Sequence, residues 1–272
     1  MASKRGTPRR GTTREERSFI VTETVFATTP NAANPVLVCG LPGSGYVGKL
    51  AADHLISTFK LKKIAEYASD TFPPVVNVKA DGTAEEMKAE LFFGNAGRGK
   101  DLFVFTADAQ PTTSEGEYEL SDAVMGRVKA SGVKKVYALA AYITGAFSSS
   151  PKVYGSATSK EMATSISAMG VTLMKDGGIS GMNGLLIGVA ALRGLEGACL
   201  LGETSGFVVD AGASKSVLEM LSSAIGLRID TSKLKEKAEE TQKVISQLQA
   251  MSEQSQETAP QPRRDARPGY IG

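Results

Sequence analysis

Short apolar runs alternate with segments of helical periodicity along most of this chain, and that alternation limits its fold more than any other feature. The strand-like runs are "FIVTETV", "VLVCG", "VVNVKA", "AELFFG", "DLFVFTA", "KVYALAA" and "ACLLGE". They are β-branched or aromatic, and Gly, Asp or Pro closes them. Between them lie helical stretches at Tyr46–Phe59, Gly116–Ala130, Ser159–Met169, Met182–Leu192 and Gly212–Ile225. Their apolar residues recur three and four apart, as at Leu120, Val124 and Val128. Strand and helix in alternation predict an α/β layer fold. The strands are continuous apolar runs, which suits a sheet covered by helices on both faces.

The organisation predicted from the sequence has four parts. Residues 1–17 form a basic arm with little to bury, expected to be disordered. Residues 18–230 form the body. Residues 231–252, rich in Lys, Glu and Gln, read as an amphipathic helix. Residues 253–272 form a flexible Pro/Gln/Arg tail. The net charge is only +2, so no global attraction to nucleic acid or to an anionic membrane is expected. No apolar run reaches the ~18–20 residues of a membrane span. Cys39 and Cys199 each lie in an apolar run and read as buried, reduced thiols of a cytoplasmic protein. The single histidine, His54, leaves no basis for a His metal site or a His-dependent triad.

The stretch "GLPGSGYVGKL" (Gly40–Leu50) invites a phosphate-binding reading. Gly43, Gly45 and Gly48 match the skeleton of a dinucleotide loop. Gly43 to Lys49 matches that of a P-loop. A P-loop needs a hydroxyl after the lysine to ligate magnesium, and Leu50 stands there. Asp108 supplies an acidic strand end that an NTPase would need. A dinucleotide fold needs an acid on its second strand; Glu66 or Asp70 have the right spacing, but "KKIAEYASD" makes a poor buried strand. A structural turn, with glycine for close approach, is the preferred reading.

Other candidates have plain structural readings. "AYITGAFSSSPKVYGSAT" (Ala141–Thr158) reads as a polar surface loop that caps the next helix with Thr158 or Ser159. "SGMNGLLIG" (Ser180–Gly188) opens a buried helix. Asp210 reads as an N-cap or first-turn acid, and His54 as a helix-surface or core histidine. No catalytic residue, cofactor site or metal site is assigned.

"VLVCGLPGSGYVGKLAADHLI", "AAYITG" and above all "MGVTLMKDGGISGMNGLLIGVAALRGLEGACLLGETSGFVVDAGASKSVLEMLSSAIGLRID" resemble the proteasome assembly chaperone 2 family, its archaeal members most closely. The resemblance covers about Phe19 to Asp230. It implies a three-layer α/β/α, phosphorylase-like body without established enzymatic activity. It also implies self-association and chaperoning or capping of the proteasome core particle. Several members carry a C-terminal tail that enters pockets between core-particle α-subunits. Its motif is a hydrophobic residue, Tyr and any final residue. Here the last three residues are Tyr270, Ile271 and Gly272, with the aromatic and aliphatic positions exchanged. A free carboxylate still follows both, and that is the chemistry of a docking tail.

Leu234, Ala238, Thr241, Ile245 and Leu248 are spaced alternately four and three apart, a short heptad seam. A helix of this length must bury such a stripe, in an oligomer or against its own body. The reading is a non-enzymatic, cytoplasmic homo-oligomer that binds the proteasome core particle through its tail. The rivals are a nucleotide-dependent ligase or hydrolase using Gly43–Lys49, and a nucleic-acid binder using the basic arm.

Overall fold

The structure, a computed structural model, describes residues 21–27 and 32–243. In chain order the elements begin β1 (Thr22–Val25), β2 (Val36–Gly40), a 3-10 turn (Ser44–Tyr46), α1 (Val47–Phe59) and β3 (Lys62–Ala68). There follow β4 (Val76–Val78), β5 (Ala84–Glu86), β6 (Ala89–Gly97), β7 (Lys100–Ala107), α2 (Ser114–Ala130) and β8 (Lys135–Ile143). Next come β9 (Val153–Ala157), α3 (Lys160–Ala168), β10 (Thr172–Leu173), α4 (Met182–Leu192), β11 (Glu196–Thr204) and α5 (Ala211–Ile225). A helix over 232–243, here α6, ends the described chain.

Nine strands form one mixed sheet in the order β1-β3-β6-β7-β2-β8-β11-β9-β10. Its centre, β7-β2-β8-β11, is parallel. The flanks, β1-β3-β6 and β9, run antiparallel to their neighbours. Alternate residues of each central strand point to opposite faces. Leu37, Cys39, Phe103, Phe105, Val136 and Ala138 meet Leu120 and Val124 of α2 and Leu186 and Ala190 of α4. Val38, Val104, Leu139 and Leu200 meet Ala51 and Leu55 of α1, Ile166 of α3 and Val217 and Leu221 of α5. Both sets are apolar, so the runs show no polar alternation. The result is the expected three-layer α/β/α body.

Three segments depart from the sequence reading. "KKIAEYA" is a sheet strand, β3, with Ile64, Ala65 and Tyr67 buried. Its polar residues are held by ion pairs: Lys63 with Glu66, Lys63 with Glu90 at 3.0 Å and Lys88 with Glu66 at 3.6 Å. Those contacts hold the Glu66 carboxyl below its usual range, the Lys63 hydrogen bond contributing most. "VVNVKA" yields β4, which joins no main-sheet strand; it pairs only with β5 in a separate, exposed hairpin. Part of the supposed loop Ala141–Thr158 is a strand, β9, laid antiparallel to β11.

Cys39 and Cys199 both pair with Ala138 of β8, from opposite sides. Two strand spacings separate them, roughly 9–10 Å, which is too far for a disulfide. Burial raises both thiol pKa values, that of Cys199 to about 12. Neither thiol should therefore react with Ellman's reagent in the folded chain at mildly alkaline pH, and both should react after denaturation. Rapid reaction of either in the folded chain would contradict this packing.

Candidate functional site

The glycine loop joins β2 to α1 at the C-terminal edge of the parallel strands, where open α/β sheets place their ligands. Its glycines serve close packing. A Cβ on Gly40 would lie 2.1 Å from the Gly48 carbonyl oxygen, and one on Gly48 2.1 Å from that of Leu139 in β8. Gly45 has φ +61°, and a Cβ there would meet Thr204 Oγ1 at 2.9 Å. Only Gly43 of the motif has open space around it, with nothing nearer than 3.8 Å.

Neighbouring residues bind the loop backbone. Asn183 Oδ1 accepts from Leu41 N at 3.2 Å, and Asn183 Nδ2 donates to Leu41 O at 3.4 Å. Gln110 donates to Pro42 O at 2.5 Å and accepts from Met182 N at 2.7 Å. Asp210 N donates to Gly45 O at 2.8 Å. A phosphate cradle presents N–H groups to its ligand. This loop is instead tied down mainly through its carbonyls. Lys49 points along α1 to Asp53, at 2.8 Å. Calorimetric titration with ATP, GTP or NAD and magnesium should therefore give no submillimolar binding. Such binding, lost in Lys49→Ala, would restore the ligand reading.

The remaining acids have structural partners. Glu66 lies on β3, separated from β2 by β6 and β7, so it is not the second-strand acid of a dinucleotide fold. Asp70 sits in the turn that follows β3. Asp108 accepts from Lys88 N at 3.1 Å. Asp210 caps α5, accepting from Ala213 N at 2.8 Å, and also accepts from Thr204 Oγ1 at 2.8 Å. Ser159 caps α3 through Met162 N at 3.1 Å, and Thr158 Oγ1 accepts from Gly197 N at 2.8 Å. His54 is half-buried on α1, with Nε2 2.6 Å from Asp230 O. Among the described residues no group of three His, Cys, Asp or Glu is placed to hold a metal ion, and no helix is long and apolar enough to cross a membrane.

The predicted stripe divides at the end of the described chain. Leu234 is buried in the body and Ala238 packs against the same cluster. Thr241 is half-buried and donates its hydroxyl to Lys237 O at 3.0 Å. Ile245 and Leu248 lie outside the described residues, as do Tyr270, Ile271, Gly272 and the basic arm. Beside α6 runs a groove of about 570 Å³. It is lined by Phe147, Val208 and Val209 from two loops, by the Lys215–Glu219 ion pair of α5, and along α6 by Ala238 and Thr241 together with the longer polar side chains of Lys235, Glu239, Gln242 and Lys243. Val209 is 54% exposed and the adjoining Phe207 80%. Tyr46 and Ile143 are exposed in and beside the same set of strand-end loops. Sequence reasoning missed this apolar edge. The run "GFVVDAG" was the available signal, since it places three large apolar residues ahead of a helix cap.

The PAC2 family model matches residues 37–249. An uncharacterized protein of Methanocaldococcus jannaschii is 35% identical over 88% of this chain and 93% of its own length. The crystal structure of Pyrococcus furiosus PbaB, an archaeal proteasome activator, superposes with a TM-score of 0.78 at 33% identity. That match covers 84% of this chain and 98% of PbaB. Pyrococcus furiosus PbaA, an archaeal homolog of proteasome-assembly chaperone, superposes with a TM-score of 0.69 at 26% identity, over 86% of this chain and 94% of PbaA.

Proposed function

The chain belongs to the PAC2 family, and from that premise we propose that it is a non-enzymatic, oligomeric activator or assembly chaperone of the proteasome core particle. One observation carries the reading: the described body matches an archaeal proteasome activator over nearly that protein's whole length. The loop that an enzyme of this layout would use for phosphate is closed by Asn183, Gln110 and Asp210. That favours a scaffold over a catalyst.

In this reading the partners are the core-particle α-subunits and other copies of the chain, and the compartment is the cytoplasm. Tyr270, Ile271 and the Gly272 carboxylate dock into pockets between α-subunits. Residues 253–272, rich in Pro, Gln and Arg, act as a tether reaching at most roughly 70 Å when extended. Self-association uses the stripe Leu234, Ala238, Thr241, Ile245 and Leu248 together with the body. Leu234 and Ala238 pack within their own chain, so contact between copies falls to Thr241, Ile245, Leu248 and exposed body surface. Size-exclusion chromatography of the full chain with purified core particle tests the proposal. Co-migration at the core-particle volume is expected, and elution as two separate species would overturn it.

A further inference from the structure

The strands β4 and β5 pair with each other and with no strand of the main sheet. A two-stranded hairpin on its own is at best marginally stable in water, and a further strand or a covered apolar face is what makes one persist. Val76 and Val78, two apart on β4, share a face with Ala84 and Glu86 of β5, their cross-strand partners. Val76 is 50% exposed and Val78 73%, so among the described residues nothing covers that apolar face. The opposite face carries Asn77, Lys79 and Glu85, and its charges are already paired: Lys79 with Glu85, and Lys88 with Glu85 at 3.4 Å.

The outer edge of β4 is open to another strand. Lys79 N donates to Thr83 O across the hairpin at 2.8 Å. Backbone direction alternates along an antiparallel ladder, so the N–H and C=O groups of Val76 and Val78 point away from β5. When two β4 strands meet antiparallel about a two-fold axis at Asn77, Val76 of each copy lies opposite Val78 of the other. The residues brought together are then those whose backbone groups face outward, and they exchange hydrogen bonds. The register is bounded on both sides. A slip one way sets Pro74, which has no N–H, opposite Val78. A slip the other way reaches the turn closed by Gly82 N and Lys79 O at 2.9 Å.

Charge separates the two edges of the hairpin. The corresponding two-fold pairing of β5 would set Glu85 against Glu85, and like charges directly opposite each other destabilise a sheet. Val76–Val78 carries no charge. Pairing of β4 with the β5 of another copy would leave a free edge at each end and would not close.

We infer that β4 pairs antiparallel, about a two-fold axis at Asn77, with β4 of a second copy of this chain, so that two hairpins form one continuous sheet. This pairing rests on the self-association in the proposed function and assigns it a surface. Asn77 then faces Asn77 of the second copy in a non-hydrogen-bonded pair, with Cα atoms about 4.5 Å apart, a separation that a disulfide can bridge. Both native thiols are buried, so mild oxidation of the full chain reports on introduced cysteines. Asn77→Cys should form a covalent dimer at least tenfold faster than Glu86→Cys, an exposed position on the other strand of the same hairpin. Val78→Pro removes an outward N–H and leaves the hairpin's own hydrogen bonds intact. It should lower the association constant at least tenfold, with the melting curve of the subunit unchanged. Equal rates for the two cysteine variants, in chains that sediment as oligomers, would overturn the pairing and place association on another surface. A wild-type chain that sediments as a monomer at micromolar concentration would overturn the self-association itself, and the pairing with it.

Discussion

Gly48→Ala is expected to destabilise the chain by about 3 kcal/mol, the upper part of the range for overpacking a core. The added methyl would lie 2.1 Å from Leu139 O and 3.0 Å from the Leu139 carbonyl carbon. Both are backbone atoms of β8, which is paired on both sides, to β2 and β11. They cannot swing aside as a flexible side chain would, so α1 must lift by more than 1 Å to restore ordinary contact. That movement loosens Ala51, Ala52 and Leu55 from the same face of the sheet. For a domain of this size, a loss of that order lowers the melting temperature by roughly 6–12 °C. Lys49→Ala provides the contrast. It removes only an i,i+4 pair with Asp53 near the surface, worth about 0.3–0.5 kcal/mol. Thermal melts of the two variants decide the matter. Equal melting temperatures for Gly48→Ala and the wild type would mean that close packing does not account for the glycine.

The second large effect is expected at the C-terminus. A single docking tail binds weakly, but an oligomer presents several to one ring, and linkage raises the apparent affinity by about 10²–10⁴. Loss at each tail is therefore multiplied. Burying an isoleucine side chain contributes about 1.5–3 kcal/mol, and an aromatic anchor in a pocket is the commonest kind of hot spot. Tyr270→Ala should lower apparent affinity for a cognate core particle at least a hundredfold. An affinity tag added after Gly272 should do nearly the same, because the proposed docking pairs the free carboxylate with a cation of the pocket and the tag moves that carboxylate away. The same tag placed before Met1 should have no effect. Surface plasmon resonance with immobilised core particle measures all three. Full binding by the C-terminally tagged chain would exclude a role for the free terminus.

Much of the body was readable because both faces of its central sheet obey one rule. Every central strand is covered by helices, so apolar runs mark strands and three-four spacing marks the helices; Met182–Leu192 was placed to the residue. The misses have physical causes. In β3, Lys63 and Glu66 look wrong for a buried strand until Lys88 and Glu90 are brought beside them from the neighbouring β6 region. In β9, "VYGSA" carries a glycine because a Cβ on Gly155 would stand 2.6 Å from Val171 Cγ1 and 3.1 Å from Cys199 O. No local pattern announces that approach. Leu50 was the one local argument against a P-loop; the ties from Asn183 and Gln110 join residues far apart in sequence and were invisible there. The seam residues read as one amphipathic stripe. The structure divides that stripe, with Leu234 and Ala238 packed on the body, because only tertiary contacts decide which partner a stripe meets.

The central claim is that the chain acts on the proteasome core particle through its last three residues. The most direct measurement compares the full chain with the chain ending at Pro268–Gly269, after both have been shown to have the same circular dichroism melt and the same sedimentation coefficient. Each is titrated onto immobilised core particle. The account predicts saturable, slowly dissociating binding by the full chain and none by the truncated chain at the same concentrations. Equal binding by the two would contradict it and place recognition on the body.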